Sequence, residues 1–149
     1  MNVALLARQV GLSIAERRPF RRGEAILVAV SGGLDSMVLL HLLSHLAKVK
    51  EWRLTVAHFN HQLRGRSSDA DERLVERTAK KLGLPFVVDR ANVRQYAREH
   101  KLSLEMAARK LRHGFLARAA AERNIRTIAL AHHANDQVEL FFVRLLRGA

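Results

Sequence analysis

Ala25-Ile26-Leu27-Val28-Ala29-Val30, followed without a break by Ser31-Gly32-Gly33-Leu34-Asp35-Ser36, is the stretch on which the fold turns. Six consecutive apolar residues predict a strand buried on both faces, and the glycine pair ends it in a tight turn. Helical apolar spacing resumes over residues 37–47, so a buried strand runs through a glycine turn into a helix. Two adjacent glycines let the backbone bring its N–H groups up to a ligand. The unpaired N–H groups of the helix start add the positive end of its dipole. The turn is therefore expected to cradle an anion, with Ser31 and Ser36 donating hydroxyl hydrogen bonds to phosphate oxygens and Asp35 holding Mg²⁺ against a pyrophosphate. A plain Gly-Gly turn would need neither the hydroxyls nor the acid. The loop has no Lys of the G-x-x-x-x-G-K-[ST] type and no G-x-G-x-x-G, so it is neither of those phosphate-binding turns.

The pattern repeats outward from this point. Short apolar runs at residues 54–59, 85–89 and 127–131 predict three further strands. Helical patterns fill the intervals at residues 68–83, 92–100 and 104–123, with Ser68 and Asp71 spaced as a capping box and Ser103 as an N-cap. A last helix is expected over residues 135–146. Near-continuous apolar strands separated by amphipathic helices predict an α/β, doubly wound parallel sheet covered on both faces, a three-layer sandwich. Ligands of such sheets bind outside the carboxyl ends of the strands. Residues 1–24, a helix at residues 5–17 and a basic connector, are expected to precede the main domain at residues 25–149.

Composition narrows the chemistry. The chain of 149 residues has 26 Lys and Arg against 14 Asp and Glu and no Cys, which excludes a disulfide scaffold, Cys-ligated zinc, an iron–sulfur cluster and thiolate chemistry by its own residues. No run approaches the roughly 18 apolar residues of a membrane span, and the start lacks a leader pattern, so a soluble, cytoplasmic protein is expected. The net charge of +12 implies an anionic partner. Residues 90–126 concentrate it, with ten basic side chains against Glu99, Glu105 and Glu122. Tyr96 and Phe115 are the only aromatics there, so phosphate contact is better supported than base stacking.

Two polar clusters fall at the same strand ends as the glycine loop. Strand two ends in His58-Phe59-Asn60-His61-Gln62-Leu63-Arg64-Gly65, and strand four in Ala131-His132-His133-Ala134-Asn135-Asp136-Gln137-Val138-Glu139. Between them Glu105, Arg109 and Arg112 are spaced i, i+4, i+7 and share one helix face. Asp136 and Glu139, at i and i+3 on the expected last helix, would share a face near its N-terminus.

Taken in order, S-G-G-L-D-S, H-F-N-H-Q-L-R-G, E-M-A-A-R-K-L-R, A-H-H-A-N-D-Q-V-E-L and R-L-L-R-G resemble the bacterial tRNA(Ile)-lysidine synthetases of the PP-loop ATP pyrophosphatase superfamily, over residues 25–148. The resemblance implies a three-layer adenine nucleotide alpha hydrolase-like fold and an ATP-dependent carbon–nitrogen ligase. Its partners would be ATP with Mg²⁺, free L-lysine and a tRNA(Ile) with a CAU anticodon, with a homodimer left open. ATP, cleaved to AMP and pyrophosphate, would activate C2 of the wobble cytidine, and the lysine ε-amine would attack C2, shifting codon reading from AUG to AUA. Ser31, Gly32, Gly33, Leu34, Asp35, Ser36 and His58 would bind ATP, Asp35 would hold Mg²⁺, and Arg112 would stabilise developing charge. Asp136 and Glu139 would bind lysine. Its side-chain pKa near ~10.4 requires a base, and Asp136, Glu139 and Asp35 are the alternatives. Arg64, Arg94, Arg98 and Arg109 are assigned to the tRNA.

Three positions depart from the family pattern: Asn135 replaces the first of two adjacent acids, Leu140 a threonine, and His113 a common aromatic. The rival readings are another PP-loop adenylase, either tRNA-modifying or amidating, and an inactive nucleotide- or RNA-binding fragment. Because the family continues beyond this point, a catalytic domain truncated at its C-terminal end is expected.

Overall fold

In the computed structural model, the residues described are 21–134 and 137–144, with side chains described up to residue 130. The elements alternate as β1 (Ala25–Ala29), α1 (Leu34–Lys50), β2 (Arg53–Asn60), α2 (Arg66–Lys81), β3 (Phe86–Arg90), α3 (Val93–His100), α4 (Leu104–Glu122), β4 (Thr127–Ala134) and β5 (Gln137–Arg144). They form one sheet in the order β3-β2-β1-β4-β5. β1 pairs parallel to β2 (Val28 opposite Val56) and to β4 (Ala29 opposite Leu130), and β2 pairs parallel to β3.

Strand alternation sorts the core into two layers. Ile26, Val28 and Val30 of the β1 segment, with Leu54 and Val56 of β2, pack against Leu39, Leu40, Leu43, Val75 and Ala79 of α1 and α2. Leu27, Ala57 and Ile128 point the other way, onto Phe115, Leu116, Ala119 and Ala120 of α4. The chain winds from β1 to β2 to β3 in one direction with α1 and α2 on one face, then returns past β1 to β4 with α4 on the other. This reversal gives the doubly wound topology and leaves a crevice at the carboxyl ends of β1 and β4.

Two sequence expectations are corrected. Residues 137–144 are strand β5, antiparallel to β4 with Ala131 opposite Leu140 and His132 opposite Glu139, rather than part of a helix over 135–146. Val138, Phe141, Phe142 and Val143 are β-branched or aromatic, and their strand pairs backbone groups that β4 would otherwise leave open at the sheet edge. The sheet is thus parallel over four strands with an antiparallel edge. Ser68 lies inside the first turn of α2, where its hydroxyl accepts from the Arg64 N–H (3.0 Å), and the N-cap is Gly65 with no side-chain cap. Ser103 does cap α4, accepting from the Met106 N–H (3.1 Å), and Asn92 caps α3 through Gln95 N–H (3.0 Å).

A buried polar knot fixes the strand ends beside the crevice. Asn60, 1% exposed, donates to Asp69 (2.9 Å) and Glu72 (3.2 Å) and accepts from the Gln62 N–H (3.0 Å). Arg90 clasps Glu72 through Nε (2.8 Å) and a terminal nitrogen (2.5 Å). These hydrogen bonds, the Arg90 contacts first, hold the Glu72 carboxyl below its ordinary value of 4.5 against the opposing effect of burial. Asn60→Ala leaves two carboxylates and an N–H short of a partner and should lower stability by about 2 kcal/mol in urea unfolding. A carboxyl with a depressed folded pKa stabilises above its unfolded pKa and loses that contribution as pH falls through the folded value. The stability gap between wild type and Glu72→Gln should therefore be open at pH 7 and shrink as pH falls below 4.5 through the lowered folded value.

Candidate active site

The loop after β1 is held by its own hydroxyls. The Ser36 side chain accepts from the N–H groups of Ser31 (3.1 Å) and Gly32 (3.2 Å) and donates to the Gly33 carbonyl (3.0 Å). That last bond uses its single proton, so the Ser31 hydroxyl, 3.0 Å away, is the donor between the two serines. The Gly33 N–H turns to Ser31 Oγ (3.3 Å). Three donors thus converge on one neutral oxygen with two lone pairs. A phosphate oxygen satisfies them better, and the α1 start, whose Gly33 N-cap provides no side-chain bond, supplies further N–H groups.

Gly32 is the tightest point. Its φ of +95° is left-handed, and a Cβ there would lie 2.9 Å from Asp71 Cβ and 3.3 Å from Asp71 Cα. Helix α2 therefore sits directly against the loop. On the other side His58, 2% exposed, donates from Nδ1 to the Val30 carbonyl (2.7 Å) and so ties β2 to the last residue before the loop. Its Nε2 is buried and has no partner among the described residues. In the neutral ring Nε2 is an acceptor awaiting a donor.

A cleft of about 490 Å³ opens here, lined by Ser31 and Ser36 of the loop, His58 and His61 from the end of β2, Asp71 of α2, Leu130 of β4 and one face of α4. That face comprises Glu105, Ala108, Arg109, Arg112, His113 and Leu116, the i, i+3, i+4 spacing of a single stripe. No Glu105–Arg109 ion pair forms, and neither Arg109 nor Arg112 has a carboxylate partner among the described residues. Arg112 is open to solvent on its cleft side while the surrounding walls desolvate its guanidinium; burial first and the like charge of Arg109 second push its pKa down. Burial, with Arg64 and His58, likewise lowers the pKa of His61. Its Nδ1 accepts from the Leu63 N–H (3.0 Å), which leaves Nε2–H as a donor. His113 is lowered by burial, then by Arg112 and Arg109. The crevice sets the two guanidiniums and the loop N–H groups beside Asp71 and Glu105, so its donor side suits a strongly charged anion.

The structure brings Ser31, Ser36, His58, Arg109 and Arg112 to one cleft, with Gly32 and Gly33 in the loop. Leu34 is 75% exposed and Asp35 lies in the first turn of α1; neither is among the residues lining the cleft. Arg64 acts electrostatically on His61. Arg94 and Arg98 lie on α3, outside the cleft. Asp136 lies outside the described residues. Glu139 is in register with His132, two residues beyond Leu130 at the cleft end of β4, so the shared helix face expected for these acids is replaced by a strand position for Glu139. The Asp71 approach to Gly32 and the Asn60–Glu72–Arg90 knot were not expected. Both join segments distant in sequence, and only the H-F-N-H motif hinted at either.

An α/β domain with a glycine loop of converging donors at its switch point is thus defined by fold and site together. The sequence matches the PP-loop domain family over residues 6–149, and the chain belongs to that family. Among its relatives, a protein of Geobacter sulfurreducens named tRNA(Ile)-lysidine synthase is 48% identical over 135 residues, covering 91% of this chain and 28% of the relative. One of the same name from Dehalococcoides mccartyi is 39% identical, covering 97% of this chain and 31% of the relative. The chain therefore spans less than a third of the length of these relatives. Among solved structures, the U34-tRNA thiolase NcsA of Methanococcus maripaludis superposes with a TM-score of 0.62 at 19% identity, over 78% of this chain and 40% of that one. The NH3-dependent NAD synthetase of Campylobacter jejuni gives 0.61 at 18% identity, over 86% and 56%. These two likenesses show the shared fold.

Gly32→Ala meets both a left-handed backbone and the Asp71 backbone, and should cost about 3 kcal/mol in chemical unfolding. Gly83→Ala, also left-handed at φ +71° but with open space around it, should cost only about 1 kcal/mol. Equal losses would show that Asp71 does not press on the loop.

Proposed function

We propose that this chain is the ATP-binding catalytic portion of a tRNA(Ile)-lysidine synthase, working in the cytoplasm. The observation that carries the reading is the pair Arg109 and Arg112, without a carboxylate partner among the described residues, facing the loop serines across one cleft. The relatives at 39–48% identity bear that enzyme's name. A thiolase reading is disfavoured because the chain contains no Cys to handle sulfur.

In this reading Ser31, Gly32, Gly33, Leu34 and Ser36 hold the pyrophosphate portion of ATP, whose oxygens replace the Ser36 hydroxyl as acceptor of the loop N–H groups. His58 Nε2 faces the nucleotide. Mg²⁺ is usually held by one or two carboxylates together with substrate phosphates. Asp35, a single carboxylate in the first turn beside the loop, fits that donor set, and the ion would neutralise phosphate charge. The C2 oxygen of the wobble cytidine of a tRNA with a CAU anticodon attacks the α-phosphorus and pyrophosphate leaves. Arg112, with Arg109, stabilises the charge that develops. The lysine ε-amine, deprotonated by Asp136, Glu139 or Asp35, then attacks C2, and AMP departs with the oxygen. The modified base pairs with A, so AUA is read in place of AUG. Asp136 and Glu139 receive the lysine, and Arg64 and Arg109 meet the tRNA beside the cleft.

Incubation of the full-length protein with tRNA, ATP and labelled lysine should place label in tRNA only when the wobble cytidine is present. Pyrophosphate release indifferent to lysine would overturn the reading. Asp35→Asn and Arg112→Ala should each lower pyrophosphate release by about 100-fold or more, whereas Glu139→Gln should chiefly raise the KM for lysine.

A further inference from the structure

A second concavity lies around the corner of α4. It has a volume of about 560 Å³ and is lined by Arg94, Ala97 and Arg98 of α3, Lys101 and Leu102 of the connecting turn, and Leu104 of α4. Arg94 and Arg98, at i and i+4, share one face of α3, and Lys101, the left-handed C-cap of that helix, brings a third cation to the same groove. None of the three makes an ion pair among the described residues. The nearest acid in sequence, Glu99, is engaged by Gln95 Nε2 (2.9 Å). The turn is held firmly, with Lys101 left-handed at φ +53°, the Leu102 N–H bonded to the Ala97 carbonyl (2.9 Å), and Ser103 capping α4. The three cations are therefore preset on a packed helical corner.

The first turn of α4 borders both concavities. Leu104 lines this groove and Glu105, the next residue, lines the cleft. A polymer with one unit in the cleft and its neighbours passing over the first turn of α4 would lay its backbone along Arg94, Arg98 and Lys101. Three unpaired cations over the apolar surface of Ala97, Leu102 and Leu104 suit phosphates and the sugars between them. Among the described residues lining the groove there is no aromatic ring to stack a base.

We infer that the α3–α4 groove is a backbone-phosphate subsite for the RNA segment flanking the nucleotide that enters the cleft. The inference rests on the RNA substrate proposed above and adds to it the place where the strand runs and a further residue, Lys101. Contacts of this kind position the strand without reading its sequence.

The test measures binding of labelled tRNA with a CAU anticodon to the full-length protein across a range of KCl concentrations. Arg94→Glu/Arg98→Glu/Lys101→Glu should weaken binding about tenfold or more and reduce the slope of log affinity against log salt by about two, as expected when two or three phosphate contacts are lost. Arg94→Gln/Arg98→Gln should fall between this and wild type. Arg73→Glu/Arg77→Glu/Lys80→Glu, an equal charge change on the exposed face of α2, should alter both quantities far less. Equal losses in the two triple variants would overturn the subsite in favour of diffuse attraction. Tight wild-type binding that the groove variant leaves unchanged would overturn the subsite alone. No wild-type affinity for the tRNA would overturn the RNA reading and the groove with it.

Discussion

The structure depends on the position of β1 in the middle of the sheet. It is paired on both edges and covered on both faces, with Ile26, Leu27 and Val28 fully buried. A strand so enclosed has no solvent-facing edge, and it delivers its carboxyl end to the place where the winding direction reverses. The following residues must turn within a space already taken by α2, which is why glycine stands at Gly32, facing the Asp71 backbone. The anion cradle is a steric consequence of the central strand as much as a chemical device. His58 reinforces it from the next strand by fixing the Val30 carbonyl, so sheet register and loop geometry are set together.

Electrostatics then distinguish the cleft from an ordinary groove in an α/β protein. Ion pairs between exposed side chains contribute little. Here Arg109 and Arg112 stand one turn apart, repelling one another in a partly desolvated setting; after burial, both help depress His113, and Arg112 adds to the lowering of His61. The arrangement costs stability in the absence of an anion. On the proposed reading a multiply charged ligand would relieve that repulsion, and part of it would become affinity for phosphate. The loop behaves in parallel, since its donors crowd one serine oxygen and gain from exchange for phosphate oxygens.

The sequence made β1, its loop and the α4 stripe legible because each is a local pattern: a continuous apolar run, a glycine pair, and acid and base at helical spacing. Ser103 was legible for the same reason, a cap being decided within three residues. Residues 137–144 were misread because a short run of Leu, Phe and Val fits helix and strand alike, and the open edge of β4 decided between them. Ser68 and Asp71 matched a capping box in spacing, yet Ser68 turned back to Arg64 and Asp71 met the loop 39 residues earlier. The Asn60–Glu72–Arg90 knot was invisible for a related reason: its members lie on three elements, and only the parallel pairing of β2 with β3 brings them together.

If lysine is the second substrate, the cleft must hold an anion and a cation at once. Arg109 and Arg112 would repel the lysine ammonium, so its acids have to stand apart from the middle of α4. Among the described residues lining the cleft, only Asp71 and Glu105 are acidic; Asp71 is pressed against the loop and Glu105 stands one turn before Arg109 on α4. The hairpin end of β4 and β5 lies at the same edge of the sheet, beyond Leu130, and carries Glu139 opposite His132. On the proposed reading, charge would then be separated along the crevice, with the phosphate end at β1 and α4 and the cation end at the β4–β5 edge. That reading requires a carboxylate at the carboxyl end of β4, and an antiparallel edge strand places Glu139 in register there where a helix was expected to.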